Sequence, residues 1–186
     1  MPYSALFSSL ERIMALLRSE QRRNCAHLGL QAVHLQVMEY LAQCNRFSDT
    51  PAAVASYLGI TKGTVSQTLL LLQKKGYVCK TPDLHDRRIV HLSLTEAGRE
   101  VARQASAESL FQEASRMLPQ QHHQLSASAF AEVLRVLQKA HKNQSFGLCR
   151  SCRHFIEGES QHQCGLTLEP LSDADSKKIC QEHAPR

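Results

Sequence analysis

The chain has 186 residues, enough for one medium domain and a small appendage, and its 42% hydrophobic, 5% aromatic, tryptophan-free composition favours a helical core of Leu, Val, Ile and Ala. The net charge of +5 suits a polyanionic partner. No apolar run reaches the roughly 20 residues of a membrane span. Met1-Pro2-Tyr3-Ser4 opens no secretory signal, so a cytoplasmic protein with no membrane partner is expected.

In chain order, Leu6, Leu10, Ile13 and Leu17 predict a helix over 3–24 with a broad apolar stripe. Val33, Leu35, Val37, Met38 and Leu41 predict a second over 31–45. Thr50 is an N-cap with Pro51 in the first turn, and the short helix that follows ends at Gly59. Thr61 caps the next helix, which buries Val65, Leu69 and Leu72, exposes one of Leu70 and Leu71, and ends at Gly76. Two helices around a short glycine-containing turn make a helix-turn-helix. Extended segments at 77–81 and 89–94 flank a polar turn, giving a two-stranded wing. One long helix runs from the Thr95 cap to about Met117, where Pro119 stops it. Another spans 126–142, with Phe130, Val133, Leu134 and Leu137 on one face; His122-His123 fall in a solvated loop before it. Residues 139–145 read as a linker.

The exposed N-terminal half of the helix after Thr61 carries Lys62, Gly63, Thr64, Ser66 and Gln67. In such a motif this half meets base edges in the major groove. Thr, Ser and Gln can bond bases or phosphates, and Lys62 can neutralise a phosphate. The wing adds Arg87 and Arg88, suited to a narrow minor groove. Between positions 62 and 103, eight Lys and Arg residues stand against four Asp and Glu, so most of the positive charge gathers here.

Residues 5–142 resemble the MarR family of winged helix-turn-helix transcription regulators. The resemblance is carried by Val54-Ala55-Ser56-Tyr57-Leu58-Gly59-Ile60-Thr61, Thr64-Val65-Ser66, Leu72-Gln73-Lys74-Lys75-Gly76-Tyr77-Val78, Asp86-Arg87-Arg88 and Leu92-Ser93-Leu94-Thr95-Glu96-Ala97-Gly98. It implies a two-fold homodimer on a pseudo-palindromic double-stranded operator, repression as the usual outcome, and Asp86 orienting Arg87. It also implies small-molecule effectors such as aromatic acids or phenols.

Seven cysteines in a cytoplasmic protein point to metal binding, redox sensing or burial. Cys25, Cys44 and Cys79 are isolated, and burial is expected for each. Cys149, Cys152, Cys164 and Cys180 form C-x2-C-x11-C-x15-C in a polar tail outside the usual family pattern. The tail's apolar residues are too few to close a core without a staple. Three readings stand open: a [4Fe-4S] cluster on four thiolates, a structural Zn²⁺ site, or a redox dithiol at Cys149 and Cys152. Zinc ribbons offer two tight pairs, whereas one pair and two single ligands suit a cuboidal cluster, which leads. His154, His162 and His183 would give zinc alternative ligands, though surface or supporting positions are expected for them. A thioredoxin-like site lacks its strand-helix-strand context.

The expected fold is mainly α with a small β wing. It comprises an N-terminal dimerisation helix (1–30), a winged helix-turn-helix (31–98), C-terminal dimerisation helices (99–143) and a cysteine-rich module (148–186). No nucleophile-base pair or phosphate loop argues for an enzyme. The leading expectation is a regulator whose cluster, sensing redox or iron, alters the tail's docking on the dimer helices. The alternative is the same regulator with structural zinc and a phenolic or aromatic-acid effector.

Overall fold

The computed structural model describes residues 2–84, 86–140, 146–159 and 161–186. Helix α1 (Pro2–His27) leads into α2 (Ala32–Gln43), α3 (Pro51–Leu58) and α4 (Lys62–Lys74). Strands β1 (Val78–Pro82) and β2 (Val90–Leu94) form the wing, antiparallel, with Val78 opposite Leu94 and Pro82 opposite Val90. The mainly helical, winged architecture is the expected one.

Local chemistry sets these boundaries. Thr50 and Thr61 cap α3 and α4 by accepting N–H bonds from Ala53 (3.2 Å) and Thr64 (3.1 Å). Gly59 and Gly76 close them in the left-handed region, at φ 64° and 74°. The core joins Leu35, Val37 and Met38 of α2, Val54 of α3, Val65, Leu69 and Leu72 of α4, and Val78, Leu92 and Leu94 of the wing. Each fully buried aliphatic side chain contributes about 1.5–3 kcal/mol. Leu70 is the exposed member of its pair.

Thr95 joins wing to helix. Its N–H donates to the Tyr77 carbonyl (3.0 Å), and its hydroxyl donates to the Gly76 carbonyl (2.7 Å). Gly98 packs so close that a Cβ there would lie 2.1 Å from the Tyr77 oxygen. Gly98→Ala is therefore expected to destabilise the winged domain by about 1–3 kcal/mol. A chemical denaturation curve checks this, and an unchanged midpoint would contradict the close approach.

Beyond the wing, the single helix predicted from Thr95 to Met117 is two: α5 (Glu96–Ala105) and α6 (Glu108–Arg116). Ser106 is extended at ψ 147°, and its hydroxyl accepts the Glu108 N–H (3.1 Å). Its carbonyl accepts from the Asn24 side chain (3.3 Å), far away in sequence on α1. That tertiary bond holds the break. Helix α7 (Gln120–Ala140) starts earlier than expected and takes His122 and His123 into its first turn. Of the predicted linker, 139–140 are still helical, and 141–145 lie outside the described residues. Cys25 and Cys44 are buried as expected. Cys79 is exposed, because strand alternation turns it outward from a buried Val78.

The C-terminal module is built of very short elements. Strand β3 (Gly147–Leu148) pairs with β7 (Ile179–Cys180), and β4 (Phe155–Ile156), β5 (His162–Cys164) and β6 (Pro170–Leu171) form a second sheet. A 3₁₀ turn (Cys149–Ser151) and the short α8 (Asp173–Ser176) complete it. The module was expected on the dimerisation helices; instead it sits on the loop between α2 and α3. Ile179 bridges Cys44, with Asn45 N–H donating to the Ile179 carbonyl (2.9 Å). Gln181 N–H donates to Ser48 Oγ (2.9 Å), and its side chain donates to the Phe47 carbonyl (3.1 Å). Arg46 reaches Glu169 (2.9 Å) and the Pro170 carbonyl (2.8 Å). Phe146 lies edge-on to Tyr57, with ring centroids 5.2 Å apart, and extends the main core.

Candidate nucleic-acid interface and four-cysteine cavity

Helix α4 turns Val65, Thr68, Leu69 and Leu72 inward, which leaves Lys62, Gly63, Thr64, Ser66 and Gln67 exposed on its N-terminal half. The structure thus groups all five predicted residues on the outward face. Thr61 and Thr64 hydroxyls share a 3.0 Å bond there.

At the wing tip, Asp86 engages Arg88 and not Arg87, which corrects the expected pairing. Its carboxylate takes the Arg88 guanidinium at 2.9–3.3 Å and also accepts the Arg88 N–H (3.0 Å). An i, i+2 turn brings Arg88 back over the carboxylate, while Arg87 stays exposed. Hydrogen bonding by Arg88 holds the Asp86 carboxyl below the usual range. The Arg88 side chain remains 91% exposed. Among the described residues, no ion pair engages Arg87. Asp83 steadies the turn by accepting the Asp86 N–H (2.8 Å).

The wing is anchored at His91. Its Nδ1 meets Asp49 (2.6 Å) and its Nε2 meets Asp83 (3.1 Å). The bond to Asp49 is the main reason its pKa is raised. Asp49 itself is raised, because burial outweighs the stabilisation by His91. Both shifts favour the shared proton between imidazole and carboxylates. The Asp49 carbonyl also accepts the Leu92 N–H (2.7 Å), tying the α2–α3 loop to β2.

On the other side of that loop, Cys149, Cys152, Cys164 and Cys180 line one cavity with Phe47, Phe155, Leu166, Thr167, His154 and Glu182. The cavity is small, about 20 Å³. The 3₁₀ turn places the first two cysteines, with Cys152 N–H donating to the Cys149 carbonyl (3.0 Å). Strand β5 ends on Cys164 and β7 on Cys180. None of the cysteines is in a disulfide. Among the described residues, no three His, Cys, Asp or Glu side chains converge closely enough to hold a single metal ion.

Each sulfur has its own surroundings. Burial, then the Cys180, Cys164 and Cys152 thiols, push Cys149 up to about 11. Burial also raises Cys180, opposed by Asn45, the Glu182 N–H and Ser48. Burial acts upward on Cys164 too, but the Thr167 hydroxyl with the Thr167 and Leu166 N–H groups outweighs it, and its pKa is lowered. Ala184 N–H donates to Cys152 Sγ (3.4 Å). Such N–H···S donors are the supporting bonds that metal-bound thiolates receive.

The three histidines have other partners. His162 meets Asp173 (2.9 Å), and His183 Nε2 lies 2.9 Å from Ser151 Oγ. His154 accepts from Arg153 (3.3 Å) at the cavity wall. Sequence reasoning missed Phe47, which lines the cavity from the winged domain, and Asn45 and Ser48, which are buried on the same loop. A polar loop 100 residues and more from the cysteines carries no motif that would have flagged them.

Residues 28–89 match the model of the MarR family. No curated protein matches the chain. Among solved structures, FabT of Streptococcus pneumoniae in complex with DNA is similar at 22% identity, covering 74% of this chain and 99% of that one, with a TM-score of 0.59. Apo MarR from E. coli is similar at 22% identity, 69% and 96% coverage, and a TM-score of 0.54. CouR of Rhodococcus jostii bound to p-coumaroyl-CoA is similar at 18% identity, 67% and 87% coverage, and a TM-score of 0.53. The cysteine module lies outside the matched segment 28–89. Residues 28–89 thus match the MarR family model, and the part of the chain that these structures cover shares their winged-helix fold.

Proposed function

We propose that this chain is a MarR-like transcription regulator, a repressor acting as a homodimer on pseudo-palindromic double-stranded DNA, and not an enzyme. The observation that carries this is a helix-turn-helix whose second helix buries one stripe and leaves Lys62, Thr64, Ser66 and Gln67 outward, beside a wing bearing Arg87 and Arg88. Dimerisation is supported by apolar side chains that the protomer leaves uncovered on α1 (Leu6, Phe7, Leu16) and on α6 and α7 (Phe111, Leu125, Leu137). The charge excess along 62–103 suits the partner.

Operator binding is modulated, in this reading, by a metal centre on Cys149, Cys152, Cys164 and Cys180, which senses redox or iron. Four thiols lining one cavity, as one tight pair and two single ligands, favour a [4Fe-4S] cluster over Zn²⁺, whose ribbons offer two tight pairs. A second reading keeps the regulator, makes the centre structural zinc and adds an aromatic-acid effector; the likeness to CouR with its bound p-coumaroyl-CoA favours it.

The test is anaerobic purification with iron, sulfide and zinc assays and a visible spectrum, followed by binding to a pseudo-palindromic duplex selected from a random pool. A brown protein with about four irons per chain whose duplex affinity changes on iron removal is the expected result. Colourless protein with about one zinc per chain would sink the cluster reading, and failure to select any duplex would sink the regulator itself.

A further inference from the structure

The loop between α2 and α3 touches both the cysteine cavity and the wing. Its Asn45 is 1% exposed, and its Nδ2 has no hydrogen-bond partner. Leaving a buried amide donor unsatisfied is unfavourable, and each such group calls for an explanation. The amide cannot flip to escape, because Oδ1 already accepts from Phe47 N–H (3.1 Å) and from the Ser48 hydroxyl (2.8 Å). The loop that carries Nδ2 is clasped by the residues on either side of Cys180, since Asn45 N–H donates to the Ile179 carbonyl (2.9 Å) and Gln181 N–H donates to Ser48 Oγ (2.9 Å). A neutral thiol is a weak acceptor. A metal-bound thiolate is a stronger one.

From Asn45 a line of directed bonds leads to the wing. Ser48 is fully buried, donates to Asn45, and accepts the Gln181 N–H (2.9 Å) from the residue after Cys180. Its carbonyl accepts the Tyr40 hydroxyl (2.7 Å), which fixes the loop to α2. Asp49 follows, holding His91 through its side chain and Leu92 through its carbonyl. His91 holds Asp83, Asp83 holds the Asp86 N–H, and Asp86 holds Arg88.

We propose that the α2–α3 loop transmits the state of the four-cysteine centre to the DNA-facing wing, with Asn45 as the positioning residue at the Cys180 sulfur and Asp49 as the positioning residue at the wing. The inference rests on the metal-centre reading above. When loaded, the centre would be held by the thiolates of Cys149, Cys152, Cys164 and Cys180, exchanged for the four thiolate ligands of a donor-delivered [4Fe-4S]²⁺ core; the displaced thiolates take up the four thiol protons and no electron moves. Asn45 then gains its acceptor, and the loop is held where Asp49 meets His91. On loss of the core the amide is left unsatisfied, the loop loosens, and the wing that orients Arg88 loses its fixed placement. Loaded protein therefore binds DNA more tightly than metal-free protein.

The experiment measures affinity for one selected pseudo-palindromic duplex by full-length protein, iron-loaded and metal-free, alongside iron content. Wild type is expected to show a loaded-to-free ratio of about tenfold. Asp49→Ala leaves the sulfur surroundings intact, and Asn45→Ser removes the donor; both should load iron normally and bring the ratio close to one. Asn45→Ser alone should also move the midpoint potential of the centre to more negative values, since loss of a donor to the thiolate disfavours the more negative reduced state. A merely structural asparagine would not do that. A tenfold ratio retained by iron-loaded Asp49→Ala would overturn the inference and leave the metal-centre reading standing. Wild type that takes up no iron would overturn both. Should Asp49→Ala fail to fold, His91→Gln cuts the same line one residue later and decides by the same ratio.

Discussion

A chain with Cys149→Ala and Cys152→Ala is expected to leave anaerobic purification without iron, and its residues 146–186 should be cut rapidly by a protease that leaves the winged domain intact. The reason is the module's thin core. Leu171 is fully buried, but Leu148, Ile156, Leu166 and Leu168 are exposed, and the strands are two or three residues long. A piece this small needs a staple. Where a centre provides it, metal binding free energy is folding free energy. Removing two of four sulfurs also orphans the Ala184 N–H, which donates to Cys152. The winged domain keeps Leu35, Leu69, Leu72 and Leu92 and should melt cooperatively, slightly lower for want of Phe146 and Ile179 against its core. Iron content and limited proteolysis read this out together. Undiminished iron in the double variant would show that these thiols hold no metal.

The second large effect concerns the wing. Arg87→Ala with Arg88→Ala should weaken duplex binding about 100-fold, and the slope of log affinity against log salt should flatten by about 1.8, near 0.9 for each phosphate that an arginine no longer neutralises. The two arginines are not equivalent. Asp86 holds Arg88 by a bidentate pair, Nε to Oδ1 and Nη2 to Oδ2, so Arg88 arrives already oriented, while Arg87 must be ordered on binding. Asp86→Ala should therefore weaken binding by several-fold and leave the salt slope nearly unchanged, because it removes the orientation of Arg88 and leaves the number of arginines that neutralise phosphates the same. A double variant with wild-type affinity and slope would place the wing away from DNA.

Much of the winged domain was legible because its signals are local. Thr50, Thr61 and Thr95 cap helices that begin beside them, Gly59 and Gly76 end helices by taking positive φ, and the 3.6-residue spacing of Val65, Leu69 and Leu72 marks the buried face of α4. The outward residues Lys62 to Gln67 follow from that spacing. The four cysteines were legible as a set because so polar a tail offers few other reasons for their presence. The partner of Asp86 was not: which arginine the turn folds back is decided by dihedral angles two residues apart.

What the sequence by itself determined is thus the set of elements, their caps and the inventory of ligand-type side chains, all of which depend on neighbours within one or two helical turns. Only the tertiary structure decided that Ser106 breaks a helix, since the Asn24 amide that takes its carbonyl comes from the first helix. Only the tertiary structure set the module on the α2–α3 loop. There Asn45, Ser48 and Asp49, ordinary loop residues by sequence, stand between Cys180 and His91, because strand-edge bonding to Ile179 and burial of Phe146 depend on surfaces that exist only once both parts have folded.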